Sequence, residues 1–379
     1  MKILPNIPVA FKGKFPKGYI NNVEGFALLK NDIKESKGKL VIMDIDFGNY
    51  CSLNCPHCFR QNNKADTKDS KMMQYDDIID VIKQGKKLGL KYVKFLGAGE
   101  PFEDKRFLEF LRDLKKMNIV PLIFTKGHVI GDDNLVKKWY SEYGITTGRE
   151  LVKELHNLNA IILLGFNSFD DEKQDKMVGN VRGYTRKRNL ALEILVEEGF
   201  NGHHPTRIMI AANPITHENY GEMLEMYKWA RVRNMCTIMC PTMVSGRCGD
   251  EKSWKKITPS REELIDLYTK IYLFNIERGI QTLEQIEEEG ISSYAGMNPC
   301  NQVACGMYVT LSGTVLRCPG DDVTVFGNIW NESIKNIWEK SENFERAGTF
   351  NCQCPPKMGK TFPDKFFEDV LANLKSKVA

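Results

Sequence analysis

The sequence predicts an α/β fold: a parallel sheet rolled into a partial (β/α)6 barrel, followed by a small cysteine-rich α+β module. Three observations predict it. Apolar, β-branched runs alternate with amphipathic helical stretches from about residue 39, that rhythm stops near residue 276, and 11 cysteines gather in three groups. The chain divides accordingly into an N-terminal extension (1–38), the barrel (39–275) and the module (276–379).

Lys39 to Phe47 (KLVIMDIDF) reads as the first strand, with a cysteine-bearing loop directly after it. A helix from about Gln74 to Leu88 leads to a strand at Tyr92 to Leu96, which ends in the turn-forming GAGEP segment, Gly97 to Pro101. Phe107, Phe110, Leu111 and Leu114 then fall at i, i+3, i+4 and i+7, one buried helical stripe. Further strands are expected at Val120 to Phe124, Ala160 to Gly165, Arg207 to Ala211 and Thr237 to Met239. Helices are expected at Asp132 to Glu142, Tyr184 to Glu198, Glu218 to Arg233 and Arg261 to Asn275. Ile145 to Leu158 reads as an extra helical insertion, placed to cover the mouth of the sheet. In the module, Met307 to Leu311 and Thr314 to Cys318 flank Ser312-Gly313, a hairpin signal, and a helix begins at about Glu332.

The 379 residues balance 53 Lys+Arg against 49 Asp+Glu, a net charge of +4 spread without runs, which argues against a dedicated nucleic-acid or membrane surface. No stretch reaches the roughly 18 unbroken apolar residues of a membrane helix, and Met1 to Ile20 carries prolines and lysines where a signal core would be apolar. A cytoplasmic location is expected. Cytosolic thiols seldom form structural disulfides, so metal or redox chemistry explains the cysteines better.

Cys51-Ser-Leu-Asn-Cys55-Pro-His-Cys58 sets three thiolates within eight residues at the C-terminal end of the first strand. Three thiolates and no fourth suit a [4Fe-4S] cluster with one open iron, whereas a structural zinc site is normally closed by four ligands and has only His57 nearby to complete it.

These residues resemble the CxxxCxxC motif of the radical SAM superfamily, and GAGEP comes after the second strand, where that family has a Gly-Gly-Glu-Pro-like segment. The resemblance spans about residues 39 to 250. It implies that the open iron binds S-adenosylmethionine, that one-electron reduction releases a hydrogen-abstracting 5′-deoxyadenosyl radical, and that a flavodoxin- or ferredoxin-like donor supplies the electron. It further implies that Gly97, Gly99 and Glu100 hold the methionine amino group, that Asn167 and Ser168 occupy a polar ribose-contacting position, that Arg182 reaches the carboxylate, and that His57 lies near adenine.

A second resemblance lies in the module. Cys300, Gly313 and Cys318 are spaced like the opening of SPASM and twitch domains, and Gly327-Asn328-Ile329 is similar to the Gly-Asn-Ile element of those domains. It implies one auxiliary [4Fe-4S] cluster on Cys300, Cys318, Cys352 and Cys354, with Cys305 the alternative fourth ligand and a zinc knuckle the competing use of the same residues. Cys236, Cys240 and Cys248 lie in a segment resembling the last barrel strand of SPASM-type enzymes, with Pro241, Gly246 and Arg247 towards the substrate pocket. Cys248 is expected near the mouth, as a candidate hydrogen donor to a substrate radical, with buried inert cysteine the alternative for all three.

The implied activity is radical abstraction from an unactivated C–H, giving oxidation or epimerisation of a small polar substrate, sugar- or aminocyclitol-like, or of a peptide. Residues 1 to 38 are too short for a winged-helix peptide-recognition domain. Peptide or protein maturation, and a non-catalytic iron–sulfur scaffold or SAM-binding sensor, are the competing readings. Sensitivity to oxygen is expected of the clusters.

Overall fold

A computed structural model describes residues 1–61, 71–97, 99–350 and 354–378. Among them nine strands form one sheet: β1 (Ile42–Ile45), β2 (Tyr92–Phe95), β3 (Val120–Thr125), β4 (Ile161–Gly165), β5 (Ile208–Ile215), β6 (Cys236–Pro241), β7 (Gly306–Val309), β8 (Thr314–Leu316) and β9 (Val325–Asn328). Their order is β6-β5-β4-β3-β2-β1-β7-β8-β9. The first six are parallel and each pairs with its neighbour in sequence, as expected when a helix returns the chain between strands.

Side chains alternate across the curved sheet. Met43, Ile45, Val93, Phe95, Ile162 and Leu164 pack outwards against a helical layer. Leu122, Ile161, Leu163, Met209, Cys236 and Ile238 point into the barrel and form a separate inner cluster. Two charged residues share that inward alternation, Asp44 of β1 and Lys94 of β2, and both are buried. The N-terminal extension supplies Val23, Phe26 and Ala27 to the inner cluster, and the backbone N–H groups of Ala10 and Phe11 donate to the Val232 carbonyl. It straps the barrel and plugs its lower end.

The insertion expected to cover the mouth does otherwise. Its helix, Gly148–Asn157, opens with a reciprocal cap between Thr147 and Glu150 and buries Leu151, Val152 and Leu155 in the outer core. With its apolar stripe spent on the outer face of the sheet, it is one of the crossover helices between β3 and β4 and contributes nothing to the cavity at the mouth.

The β7–β8 hairpin forms at Ser312-Gly313 as the sequence predicts, but it does not found a sheet of its own. β7 runs parallel to β1 over Ile42↔Gly306 to Ile45↔Val309, so the module extends the barrel sheet. Trp338 is fully buried, with its Nε1 donating to the Gly38 carbonyl at 3.2 Å. The helix Phe366–Val378 packs Phe366, Val370 and Leu374 into the core, with Phe366 edge-on to Tyr268 of the helix Arg261–Arg278. Among the described residues no helix is long and apolar enough to cross a membrane.

Candidate active site

The C-terminal ends of the parallel strands converge on a cavity, the end at which barrel folds of this kind carry their chemistry. Cys51, Cys55, His57 and Cys58 of the loop after β1 line it, with Gly97, Gly99 and Glu100 after β2. The opposite wall is apolar, formed by Leu163, Ala211, Ile238 and Met243.

The loop of cysteines is held from two sides. On one side, the N–H groups of Gly99 and Glu100 donate to the carbonyls of Gly48 and Tyr50 at 3.1 and 2.8 Å. A Cβ at Gly99 would come within 2.5 Å of the Tyr50 carbonyl oxygen, so this glycine serves the packing of the second-strand loop against the cysteine loop. On the other side, Arg247 donates from Nη1 to the Cys55 carbonyl at 2.7 Å and from its backbone N–H to the Cys58 carbonyl at 3.0 Å, while Ser245 Oγ donates to the Phe59 carbonyl at 3.2 Å. Ser52 N–H donates to Glu103 Oε2 at 2.7 Å, and His128 joins them at 3.2 Å from Glu103 Oε1.

Glu100 is buried, and its carboxylate is committed to the end of β3: Thr125 Oγ1 donates to Oε1 at 2.6 Å and the Lys126 N–H to Oε2 at 2.8 Å. Burial pushes its carboxyl above the ordinary range, with His128 and these two donors pulling it back. Glu100→Ala is therefore expected to destabilise the metal-free chain by about 2 kcal/mol, from the donors left without an acceptor. Urea denaturation checks this, and an unchanged midpoint would leave ligand binding as the side chain's only role.

Other expected site residues lie away from this cavity. Asn167 and Ser168 are fully buried and do not line the cavity: Ser168 Oγ donates to Glu222 at 2.8 Å, and the backbone N–H groups of both donate to Gln174 Oε1. The segment that begins there folds back into the adjacent helical layer and away from the mouth. Arg182 is exposed in the turn before the helix Tyr184–Glu197 and is likewise absent from the cavity wall. Cys248 is 3% exposed, in the turn Gly246–Cys248 that buttresses the cysteine loop from outside, and does not reach the cavity. Missed by the sequence reading was Lys126, the first residue beyond β3, whose side chain crosses the face of Gly165, where a Cβ would stand 2.8 Å from its Cδ.

A second cavity adjoins the first. It is lined by Cys300, Cys318 and Cys354, and shares the walls Leu96, Phe124, Met243 and Tyr294 with the first. Cys352 lies outside the described residues. Cys305 is buried with Leu28, Ile33, Val41 and Ile42, donates its thiol to the Asn301 carbonyl at 3.3 Å and does not line the cavity. Its thiol is taken up by the Asn301 carbonyl among these apolar neighbours, next to the cavity and not on its wall.

Both thiol sets suit iron–sulfur clusters. Burial pushes the Cys51 thiol up to about 12, with Glu100 adding to the shift, and burial takes Cys354 to about 12 as well, so thiolates form at these positions only against strong positive charge. Among the described residues no three Cys, His, Asp or Glu side chains converge where one metal ion would be held, and a cube of iron and sulfide spans a wider gap than a single ion. Among the described residues His57 Nε2 is buried without a hydrogen-bond partner, and burial, with Lys126 and Arg247 close by, pushes its imidazole down to about 3. A neutral ring with one open nitrogen faces the same cavity.

Comparison with known proteins matches two parts of the chain to family models. Residues 45–230 match the radical SAM superfamily model and residues 300–358 the model of the SPASM iron–sulfur cluster-binding domain. A tungsten-containing aldehyde ferredoxin oxidoreductase cofactor-modifying protein of Pyrococcus furiosus is 28% identical over 150 residues, 38% of this chain and 41% of that protein. A GTP 3′,8-cyclase of Clostridium perfringens is 25% identical over 103 residues, 26% of this chain and 32% of its own. The chain thus spans less than half the length of the curated relatives it matches. Among solved structures, anSMEcpe with bound AdoMet superposes with a TM-score of 0.61 at 16% identity, covering 89% of this chain and 94% of that one. Streptococcus suis SuiB bound to the precursor peptide SuiA gives 0.56 at 16% identity, covering 85% and 70%. At such identities the structural likeness speaks to fold.

Proposed function

With a radical SAM domain and a SPASM domain in one chain, the protein belongs to the radical SAM superfamily, and we propose that it oxidises a polar substrate held between its two thiol sets. The observation that carries this reading is the shared wall: Leu96, Phe124, Met243 and Tyr294 border the cavity of Cys51, Cys55 and Cys58 and also that of Cys300, Cys318 and Cys354. When bound, the reduced cluster and S-adenosylmethionine supply a 5′-deoxyadenosyl radical that takes hydrogen from an unactivated carbon. The chain's own residues bind and orient. Arg247 and the Gly99–Glu100 backbone fix the cysteine loop, Lys126 sets a positive charge on the cavity wall, and the apolar wall keeps water from the reacting carbon.

Asp44 and Lys94 make the substrate polar in this reading. Both line the second cavity. Asp44 is 0% exposed, and among the described residues neither of its oxygens accepts a well-formed hydrogen bond; its ion-pair partner Lys94 stands 3.5 Å from Oδ2 and donates to Gln302 Oε1 at 2.6 Å. A buried carboxylate short of donors suits a hydroxyl, amine or amide N–H of the substrate. Among the described residues, the only thiols that line either cavity are the two sets themselves, which supports oxidation over epimerisation by a separate thiol donor. A peptide substrate is the second reading, favoured by the fold-level likeness to SuiB, which was solved with its precursor peptide. Comparing anaerobic extract fractions of small molecules and of peptides for stimulation of 5′-deoxyadenosine release separates the two. Stimulation by neither fraction counts against both.

Asp44 also carries a pH signature. Burial pushes its carboxyl up to about 6, with Lys94 and then Arg60 pulling it back and Asp46 adding to the rise. The folded value lies above the unfolded one, so the folded chain holds the extra proton between about pH 4 and 6, and stability from this group falls as pH rises through that window. Asp44→Asn is expected to stabilise the chain by about 3 kcal/mol at pH 7, the gain fading towards pH 4, while product formation is lost. Denaturation at pH 7 and pH 4 checks the first part; equal stability at both would sink it.

A further inference from the structure

Lys357 is a lysine with no exposure at all, in the segment just after Cys354. Its Nζ donates to Cys240 Sγ at 2.8 Å and to the Pro241 carbonyl at 2.9 Å, and it stands 5.8 and 5.7 Å from the ring centroids of Tyr294 and Phe362. Among the described residues no carboxylate forms an ion pair with it. An ammonium withdrawn from water needs a negative partner close by, and sulfur is the partner the fold gathers here. Tyr294, over whose ring the Lys357 ammonium stands, lines the cavity of Cys300, Cys318 and Cys354.

The lysine is also fixed in place. Its backbone N–H donates to the Cys354 carbonyl at 2.9 Å, which ties its position to that cysteine, and Cys240 sits on β6, a strand of the barrel. Cys240 points into the barrel yet lines neither cavity, so its sulfur is free to accept from Lys357.

We propose that Lys357, anchored by Cys240 and the Pro241 carbonyl, holds a buried positive charge beside the auxiliary iron–sulfur centre and thereby raises that centre's reduction potential. Reduction adds one negative charge to the cluster, and a fixed cation in a low-dielectric surround stabilises the reduced form more than the oxidised one. Lys357 is a positioning residue in this scheme and touches no substrate. The proposal rests on the reading of Cys300, Cys318 and Cys354 as ligands of that centre.

The test uses the full chain carrying Cys51→Ala, Cys55→Ala and Cys58→Ala, reconstituted anaerobically with iron and sulfide so that only the auxiliary centre remains, and monitored by potentiometric titration with electron paramagnetic resonance. Adding Lys357→Met is expected to shift the midpoint to lower potential at an unchanged iron count, and Lys357→Arg to bring it back towards the parent. Should the methionine variant not fold, Lys357→Gln, which keeps an N–H donor without the charge, must show the same fall. A midpoint unmoved in the methionine or glutamine variant, with its iron in place, overturns the proposal alone. A parent that holds no iron overturns the auxiliary-cluster reading and the proposal with it.

Discussion

Cys55→Ala will not form 5′-deoxyadenosine when supplied anaerobically with S-adenosylmethionine and a strong reductant, whereas the unaltered protein will. Cys55 is the most buried of the three loop cysteines, packed with Val178 and Tyr184, and its carbonyl is the acceptor for Arg247. Among the described residues the site has three thiols and no fourth, so the loss of one is not made good from the cavity wall. Even changes one layer out from a metal cost about 10- to 100-fold; loss of a ligand is expected to exceed that and to bring product to background. Iron should fall by about four per chain, with the second set retaining its own complement. Equal product from both proteins would remove the enzyme assignment.

Gly246→Ala is expected to be nearly as damaging from outside the cavity. Gly246 has φ +57°, and a Cβ there would come within 2.5 Å of the Phe59 carbonyl oxygen and 2.7 Å of that of Cys58. The left-handed backbone costs an alanine about 1 kcal/mol, and contact with carbonyls that Ser245 and Arg247 already hold adds about 1–3 kcal/mol more. The Cys58 end of the loop must then move, so iron occupancy of the first set should drop along with stability. Gly221→Ala is the control, since a Cβ there meets nothing within 4 Å on the helix Tyr220–Arg231, and it should be neutral or slightly stabilising. Full iron loading of Gly246→Ala would show that the turn is not a support of the cysteine loop.

Much of this was legible in the sequence, and the particulars show why. The six parallel strands and the hairpin announced themselves through period and turn chemistry, which act over a few residues. The Cys51–Cys58 spacing did so through ligand chemistry. The burial of Ser168 was not legible because its partner, Glu222, lies 54 residues away on a helix, and no local pattern reveals that its hydroxyl is already taken. The place of Cys305 was not legible because its neighbours Leu28 and Ile33 come from the N-terminal extension, at the far end of the chain. Asp44 and Lys94 left a signal that went unused: each is a charge within an apolar strand, KLVIMDIDF and YVKFL, at the alternation that points into the barrel. Lys126 left another, standing directly after a strand at the end where barrels carry their chemistry.

The pairing of β7 with β1 has a consequence for how the protein is made. The first strand to leave the ribosome keeps one edge bare until Gly306 to Val309 emerge, after the whole barrel has been synthesised. A nascent chain therefore carries the Cys51–Cys58 loop on a sheet with an open flank, an edge that other chains can pair with. Stalled or truncated chains ending before residue 306 are expected to aggregate through that flank, and loading of the first cluster becomes coupled to the synthesis of the last fifth of the molecule.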